Sequence, residues 1–365
     1  MPGPTNIPVG DPKAVKRWSA TLFIDMLKKA YWDRKFTSKK PDSVIQRLTD
    51  LESAAGDTVS FDVSVQLRGT PTQGDNRVEG KAENLRFFTD EVKIDQMRKT
   101  VSSGGKMTRK RTLHNLRDIA KERLTDYWAK YLDELTFIYM SGARGMNEDF
   151  FEPVTYAGHA GNAIQAPDAA HLLYGGDATA KNDLDATDKM TKALIEKAET
   201  NASMMRAIDP TTANMMPIMI EGEAHFVMLM AKWQEYDLRQ ETGTNGWLEI
   251  QKAAAAAEGR KNPIFKGGLG MINNTVLHSH ESVIRFDDYG SGANVKAARA
   301  LFMGRQAGVV AYGAKGGTRA SWSEESKDHG NEIEVCAGYI NGCKKTRFNS
   351  KDFGIVAVDT AAKAP

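Results

Sequence analysis

Residues Thr58–Arg68 read TVSFDVSVQLR, and they alternate more strictly than any other stretch of the chain. Val59, Phe61, Val63, Val65 and Leu67 point one way, and Ser60, Asp62, Ser64, Gln66 and Arg68 the other. A period of two marks a strand with one buried face. A turn-rich stretch, Gly69 to Asn76, follows, and a second extended run returns from Arg77 to Val101. The pattern predicts a long hairpin reaching about 35 Å. A lone two-stranded hairpin is marginal in water, so its apolar stripe needs a partner surface. Either the chain's own body supplies that surface or a neighbouring copy does.

Bulk composition narrows the classes. The 365 residues suffice for one large domain or two ordinary ones. Apolar content of 41% and charged content of 26% suit a folded globular protein. With 49 basic and 47 acidic side chains the net charge is +2, which gives no electrostatic case for tight nucleic-acid binding. A wall around a DNA-filled space can be this neutral. Two cysteines, Cys336 and Cys343, are too few for a disulfide scaffold or a four-ligand zinc site. The opening MPGPTNIPVGDPK lacks an apolar core of signal-peptide length, and no run approaches the ~20 apolar residues of a membrane span. The expectation is a chain made in a cytosol, with reduced thiols and no membrane partner.

Outward from the hairpin, residues 1–12 hold four prolines and read as an extended arm. Val15, Trp18, Leu22 and Met26 recur at helical spacing between Lys13 and Lys35. Val44, Ile45, Leu48 and Leu51 predict a short helix over Asp42–Ala55, stopped by Gly56. Ser102-Ser-Gly-Gly105 reads as a flexible joint. The longest helix is predicted over Thr112–Met140, with Thr112 as its cap and Ser141-Gly142 as its stop. The basic residues Lys106, Arg109, Lys110 and Arg111 before it oppose the helix dipole and need an acidic neighbour or solvent. Further helices are read at Leu184–Ala202, Trp233–Gln240 and Trp247–Glu258. Strands are read at Met271–Phe286, Ile333–Tyr339 and Phe353–Asp359, with Gly313–Gly317 as a loop. His225–Met230 is too short to separate strand from helix by period, and Ala297–Tyr312 is an apolar run. The order is α+β, without the βαβ alternation of a doubly wound sheet.

Motifs for chemistry are weak. His278-Ser-His280 puts two imidazoles on one face of a strand but has no clear third ligand, since Glu281 faces the other way. Gly313-Ala-Lys-Gly-Gly-Thr318 lacks phosphate-loop order, and Gly268-x-Gly270 lacks the third glycine of a dinucleotide fingerprint. Cys336 with His329 is more simply a strand cysteine beside an unrelated histidine. Lys344-Lys-x-Arg347 reads as a solvated turn, and Trp128 and Tyr131 as packing residues. No catalytic, cofactor or metal site is assigned.

Ordered pieces carry a resemblance. They include Trp18-Ser-Ala-x-Leu22, Val78-Glu-Gly80, Val92-Lys-Ile-Asp-Gln-Met-Arg98 and Arg111-Thr-Leu-His-Asn-Leu-Arg117. Leu124-Thr-Asp-Tyr-Trp128, Phe137-x-Tyr-Met-Ser-Gly142, Trp247-Leu-Glu-Ile-Gln251 and Phe353-Gly-Ile-Val-Ala-Val-Asp359 follow. From about Trp18 onward the chain resembles the major capsid proteins of tailed phages with the HK-ninety-seven fold, in the branch typified by podoviruses such as coliphage N-four. The resemblance implies an N-terminal arm with helices over 1–56 and an extended loop over 57–101. It implies a peripheral domain over 102–204 and 321–365, with a spine helix at 112–140, and an axial domain over 205–320. It further implies homo-oligomeric pentamers and hexamers in an icosahedral virion shell around double-stranded DNA. Such a shell is assembled in the bacterial host cytoplasm with a scaffolding protein, a portal and a decoration protein. Cross-linking through Lys81 has no supporting motif and is not carried over. Within that frame the stripe Val59, Phe61, Val63, Val65 and Leu67 becomes an expected contact between subunits.

Two other readings compete: an encapsulin-like compartment shell, and a soluble metal-dependent enzyme. Stoichiometric metal in the pure protein, lost in both His278→Ala and His280→Ala, is the outcome expected of the enzyme. The shell readings instead predict closed particles by electron microscopy, and a chain that stays monomeric beside its assembly factors would exclude them.

Overall fold

The computed structural model of the chain describes residues 26, 29–52, 55–64, 67, 69–85, 87–112, 115–220, 222–241, 264, 268–313 and 320–365. The proline-rich arm, most of the helix expected from Lys13, the alanine-rich helix at Trp247–Glu258 and the loop at Ala314–Gly317 lie outside them.

In chain order, helix α1 (Tyr31–Lys35) leads into strands β1 (Thr37–Ser38) and β2 (Ile45–Leu48). The hairpin strands are β3 (Thr58–Ser64) and β4 (Phe87–Lys93). Then come β5 (Asp95–Gly105), α2 (Lys106–Arg111) and the long helix α3 (Leu116–Ser141). Short strands β6 (Gly158–His159), β7 (Asn162–Ala163) and β8 (Leu172–Tyr174) precede helices α4 (Lys192–Ser203) and α5 (Met205–Ile208). Strands β9 (Ile218–Ile220) and β10 (Glu223–Met230), helix α6 (Lys232–Gln240), β11 (Gly270–Ile272) and β12 (Thr275–Ser279) follow. The chain continues through β13 (Arg285–Tyr289), β14 (Val295–Met303) and β15 (Gly308–Gly313). It ends with β16 (Ala320–Lys327), β17 (Glu332–Lys345), β18 (Arg347–Phe348), β19 (Lys351–Asp352) and β20 (Ile355–Ala361).

Two large sheets result. The first runs β1-β2-β15-β17-β16, with β5 also on β17. Asn341 of β17 pairs with Tyr312 and with Asp95, and Cys336 pairs with Ser323 and with Thr100. So β15 and β16 lie end to end along one edge of β17, and β5 lies along the other. The second sheet runs β11-β12-β10-β14-β20-β8, with β13 and β9 added on β14 and β10.

Helix α3 joins the sheets. At 26 residues it is about 39 Å long. Its first half is amphipathic: Leu124, Trp128 and Tyr131 pack with Trp322, Val335, Ala337 and Tyr339, the inward face of the first sheet. Its last turns are buried on all sides, and Phe137–Met140 sit among Val310, Tyr312 and Cys343 of one sheet and Val227, Leu229, Leu301 and Met303 of the other. On the far side of the second sheet, Met228, Met230, Phe302, Val356 and Val358 meet Leu194, Ile195 and Ala198 of α4. Strands buried on both faces explain why HFVMLM showed no alternation in the sequence.

Several local expectations are corrected. Asp42–Ala55 is not a helix. Ile45–Leu48 is a parallel strand between β1 and β15, followed by a single turn at Asp50–Glu52. Ile45 and Leu48 face different core clusters, so their three-residue spacing came from burial on both faces. The hairpin's return ends at Lys93, because from Asp95 the chain pairs with β17. Ser102–Gly105 belongs to that ladder and is no free joint, although its register shifts there. The long helix starts at Leu116 with Asn115, not Thr112, as its cap, the Asn115 side chain accepting from the Arg117 N–H at 3.3 Å. Lys106–Arg111 forms the separate α2, where Arg109 donates to the Asn331 carbonyl at 3.0 Å. The helix expected from Leu184 starts at Lys192, capped by Thr191. Met271–Phe286 divides into three strands, and Ala297–Tyr312 into two that belong to different sheets.

A buried ion pair fastens these layers. Arg299 of β14 grips Asp359 of β20 through two bonds of 2.7 Å, and Tyr289 donates to the same carboxylate at 2.6 Å. Another guanidinium nitrogen donates to the Ser141 carbonyl at 3.0 Å, tying the end of α3 to the second sheet. Arg299→Met takes the counter-charge from the buried Asp359 and leaves it the Tyr289 hydroxyl as its remaining side-chain donor, which costs about 3–5 kcal/mol. Chemical unfolding of the subunit should show that loss, and Asp359→Asn a comparable one, because it strands the Arg299 guanidinium without a counter-charge and turns one accepting oxygen into a donor.

Candidate assembly surface

The hairpin pairs Thr58 with Lys93 through Ser64 with Phe87. Direct partners share a face, so Val59, Phe61 and Val63 lie beside Val92, Asp90 and Phe88. This is the alternation seen in the sequence, but its surroundings change along the strand.

At the root, the stripe is covered by the chain's own body. Val59 and Val92 are buried with Leu48, Leu51, Val309 and Ala311. Phe61 packs partly against the same cluster and meets the edge of the Phe348 ring at 6.1 Å. Val59 and Phe61, expected at a contact between subunits, thus have cover within the chain: the first sheet reaches them, because β15 and β2 bring side chains under the hairpin. Val63 is half-buried, Leu67 is 55% exposed, and Val65 lies outside the described residues.

Polar anchors fix the root. Asp90 interrupts the apolar face, and its carboxylate receives Lys344 Nζ and, at 3.1 Å, the Arg347 backbone N–H. Lys344 also donates to the Glu91 carbonyl at 3.1 Å. The cluster read as a solvated basic turn is thus a tether. Lys345 beside it is buried on Asp352 at 2.7 Å. Burial pushes the Lys345 amine down and the Asp352 carboxyl up, each opposed by the partner's charge.

Where the chain passes from β4 to β5, Asn162 stands in for a strand. It accepts from the Lys93 N–H at 3.0 Å and donates to the Lys93 carbonyl at 2.7 Å. Gly342 makes room for that junction, since a Cβ there would lie 1.9 Å from the Lys93 carbonyl oxygen. Asp90, Asn162 and Gly342 were missed from sequence, and Lys344 was read there as solvated. Only Asp90 carried a signal, as the polar break in the apolar face of FFTDEVK.

Beyond Ser64 no ladder continues among the described residues. The Gly69 N–H donates to Glu83 across the loop at 2.6 Å, and Lys81 N–H to the Val78 carbonyl at 3.1 Å. Leu67, Val78, Leu85 and Phe87 are each more than half exposed, and Phe88 is 37% exposed. Five of the exposed large apolar side chains among the described residues thus lie in this outer part of the hairpin.

The other candidate chemistries do not assemble. His278 Nε2 meets the Ile264 carbonyl at 2.7 Å and packs edge-on against Phe36. His280 lies on Tyr31 and Phe137, with ring centroids 4.4 and 5.0 Å away. Burial, then nearby lysine charge, pushes both imidazoles down to about 4, so they are neutral core rings. Among the described residues no three His, Cys, Asp or Glu side chains could hold a metal ion. Cys336 sits within β17 in register with Ser323 and Thr100, while His329 lies in the exposed turn before that strand. Most of Gly313–Thr318 lies outside the described residues, and Gly270 begins β11. Trp128 and Tyr131 are packing residues, as expected. No described helix is long and apolar enough to cross a membrane.

Comparison with known proteins places this geometry. A family model described as phage capsid protein matches residues 6–364. The chain is 24% identical over 361 residues to the major capsid protein of Pseudomonas phage KPP25, covering 90% of each. Among solved structures, the capsid of Ralstonia phage GP4 is 59% identical with a TM-score of 0.88, covering 100% of this chain and 99% of that one. The capsid asymmetric unit of cyanophage Pam1, 21% identical with a TM-score of 0.70 over 92% and 94% of the two chains, shares the fold. The α+β architecture is thus the HK-ninety-seven-like fold of tailed-phage capsids, and the chain belongs to the phage capsid protein family.

Proposed function

We infer that this chain is the major capsid protein of a tailed phage, a structural subunit that builds the virion head. The observation that carries this reading is a hairpin bolted to the body at its root and apolar at its projecting end, on a chain of the capsid family. Closed shells need identical chains to make repeated contacts that close. A projecting hairpin supplies contact area without enlarging the subunit's own core.

In this reading Val63, Val65 and Leu67, with Phe87 and Phe88 of the returning strand, lie against the next subunit, whereas Val59 holds the hairpin to its own. Residues 1–56 act as the arm, 57–101 as the extended loop, 102–204 and 321–365 as the peripheral domain, and 205–320 as the axial domain. Subunits gather as pentamers and hexamers around double-stranded DNA in the host cytoplasm, with a scaffolding protein, a portal and a decoration protein as partners. No catalytic step is assigned to the chain. Particle contents separate this reading from a cargo compartment: packaged DNA supports the phage head, and an enclosed enzyme the compartment.

The hairpin's two halves make opposite predictions. Val63→Asp and Phe88→Asp put a charge into a stripe buried only on assembly. They should leave the isolated subunit folded by circular dichroism while particles disappear from micrographs. Val59→Asp should instead lower subunit solubility and unfolding midpoint, because that charge enters the chain's own core. Normal shells from both outer variants would remove the hairpin stripe from the interface.

A further inference from the structure

Between the hairpin and the first sheet the chain has one residue to turn on. Lys93 is the last residue of β4 to pair with β3, and Asp95 the first of β5 to pair with β17. Ile94 stands between them, and its N–H donates to the Asp57 carbonyl at 2.8 Å. Successive residues of a strand turn their backbone groups to opposite edges, so Lys93 points both of its own away from β3. Those are the two groups that Asn162 takes: Oδ1 accepts the N–H at 3.0 Å and Nδ2 donates to the carbonyl at 2.7 Å. One carboxamide thus holds one residue by two directional bonds, which fixes orientation as well as distance.

Asn162 is itself held. It is buried in the tight turn of β6 and β7, which Ala160 and Gly161 reverse at φ of 57° and 74°. The Tyr139 hydroxyl, from the buried last turns of α3, donates to the Asn162 carbonyl at 2.8 Å and accepts the His159 N–H at 2.6 Å. The His159 ring meets the Asn341 carbonyl of β17 through Nε2 at 3.2 Å. Gly158 lets the two short strands close, because a Cβ there would lie 2.1 Å from the Asn162 carbonyl oxygen. Helix α3, strand β17 and the hairpin therefore meet at this one turn. The other root contacts are less directional. Val59 and Val92 are held by apolar burial, which prefers no angle. Lys344 reaches Asp90 at the end of a flexible four-carbon stem.

We propose that the turn of β6 and β7 is a bracket, with Asn162 as its positioning residue, that sets the angle at which the hairpin leaves the body. The bracket refers that angle to the end of the long helix, so every copy presents its hairpin in one direction. Its consequence for assembly rests on the hairpin being a contact between subunits; the angle itself does not. In a closing shell, a hairpin that is folded but misdirected misses the neighbour it is built for.

Paramagnetic distance measurement between spin labels on Asp62→Cys of β3 and Glu122→Cys of α3 tests this in the isolated subunit. Both positions are exposed; Cys336→Ser removes the half-buried native thiol, and Cys343 is buried. The labelled parent should give one narrow distance distribution. Asn162→Ala should shift or broaden it, and Tyr139→Phe, which keeps the ring in the core, should do the same to a smaller extent. Lys344→Met, which cuts the other tether, should leave it in place. Circular dichroism should be unchanged in all three, while Asn162→Ala particles lose their uniform size in micrographs. A distribution that Asn162→Ala and Tyr139→Phe leave unmoved overturns the bracket, as does a parent distribution that is already broad or an equal shift in Lys344→Met. If Asn162→Ala does not fold, Tyr139→Phe decides. A shifted distribution with normal shells keeps the bracket and counts against the hairpin as a subunit contact.

Discussion

The last turns of the long helix govern the rest of the structure. A helix apolar on every side has to be enclosed on every side. Phe137, Ile138, Tyr139 and Met140 meet that demand by lying between two sheets. The chain serves both by running β14 in one sheet and β15 in the other, with four residues between them. Arg299 then closes the arrangement electrostatically, holding Asp359 across the second sheet and the Ser141 carbonyl at the helix end. Its two charges are fully desolvated, so the pair specifies how helix and sheet meet more than it adds net stability.

Polar side chains on the helix extend its reach. Asp133 and Glu134 each satisfy two backbone donors that would otherwise be stranded in a partly buried setting, one pair in α1 and one in the loop after the helix. Neighbouring side chains on a helix point about 100° apart, so two adjacent carboxylates can hold segments on different sides. The arm, the following loop and both sheets are thereby referred to one rigid rod.

The hairpin follows from this rigidity. Its root is fixed by Val59 and Val92 in the core, by Asp90 on Lys344, and by the Asn162 amide on Lys93. A surface meant for a neighbour has to be held at a defined angle while its own apolar side chains stay uncovered. The chain divides that work along a single strand pair, giving the inner residues to its own core and leaving the outer ones outside it.

Much of this was legible in the sequence. The period of two over Thr58–Ser64 gave the strand and its face, and the three-to-four spacing from Leu116 to Ile138 gave the long helix. Both patterns record which side of an element is dry, a local property of the chain. Where both sides are dry the signal vanishes, so Ile45–Leu48 mimicked a helix and HFVMLM stayed ambiguous until their sheet partners were known. The sequence by itself thus determined the elements with one wet face and, through the order of its family-like pieces, the kind of assembly to expect. Only the tertiary structure decided that Val59 belongs to the subunit's own core, that Lys344 tethers the hairpin through Asp90, and that the two imidazoles are neutral packing rings. Those outcomes depend on which distant residues arrive beside them, and burial and charge pairing are properties of that meeting.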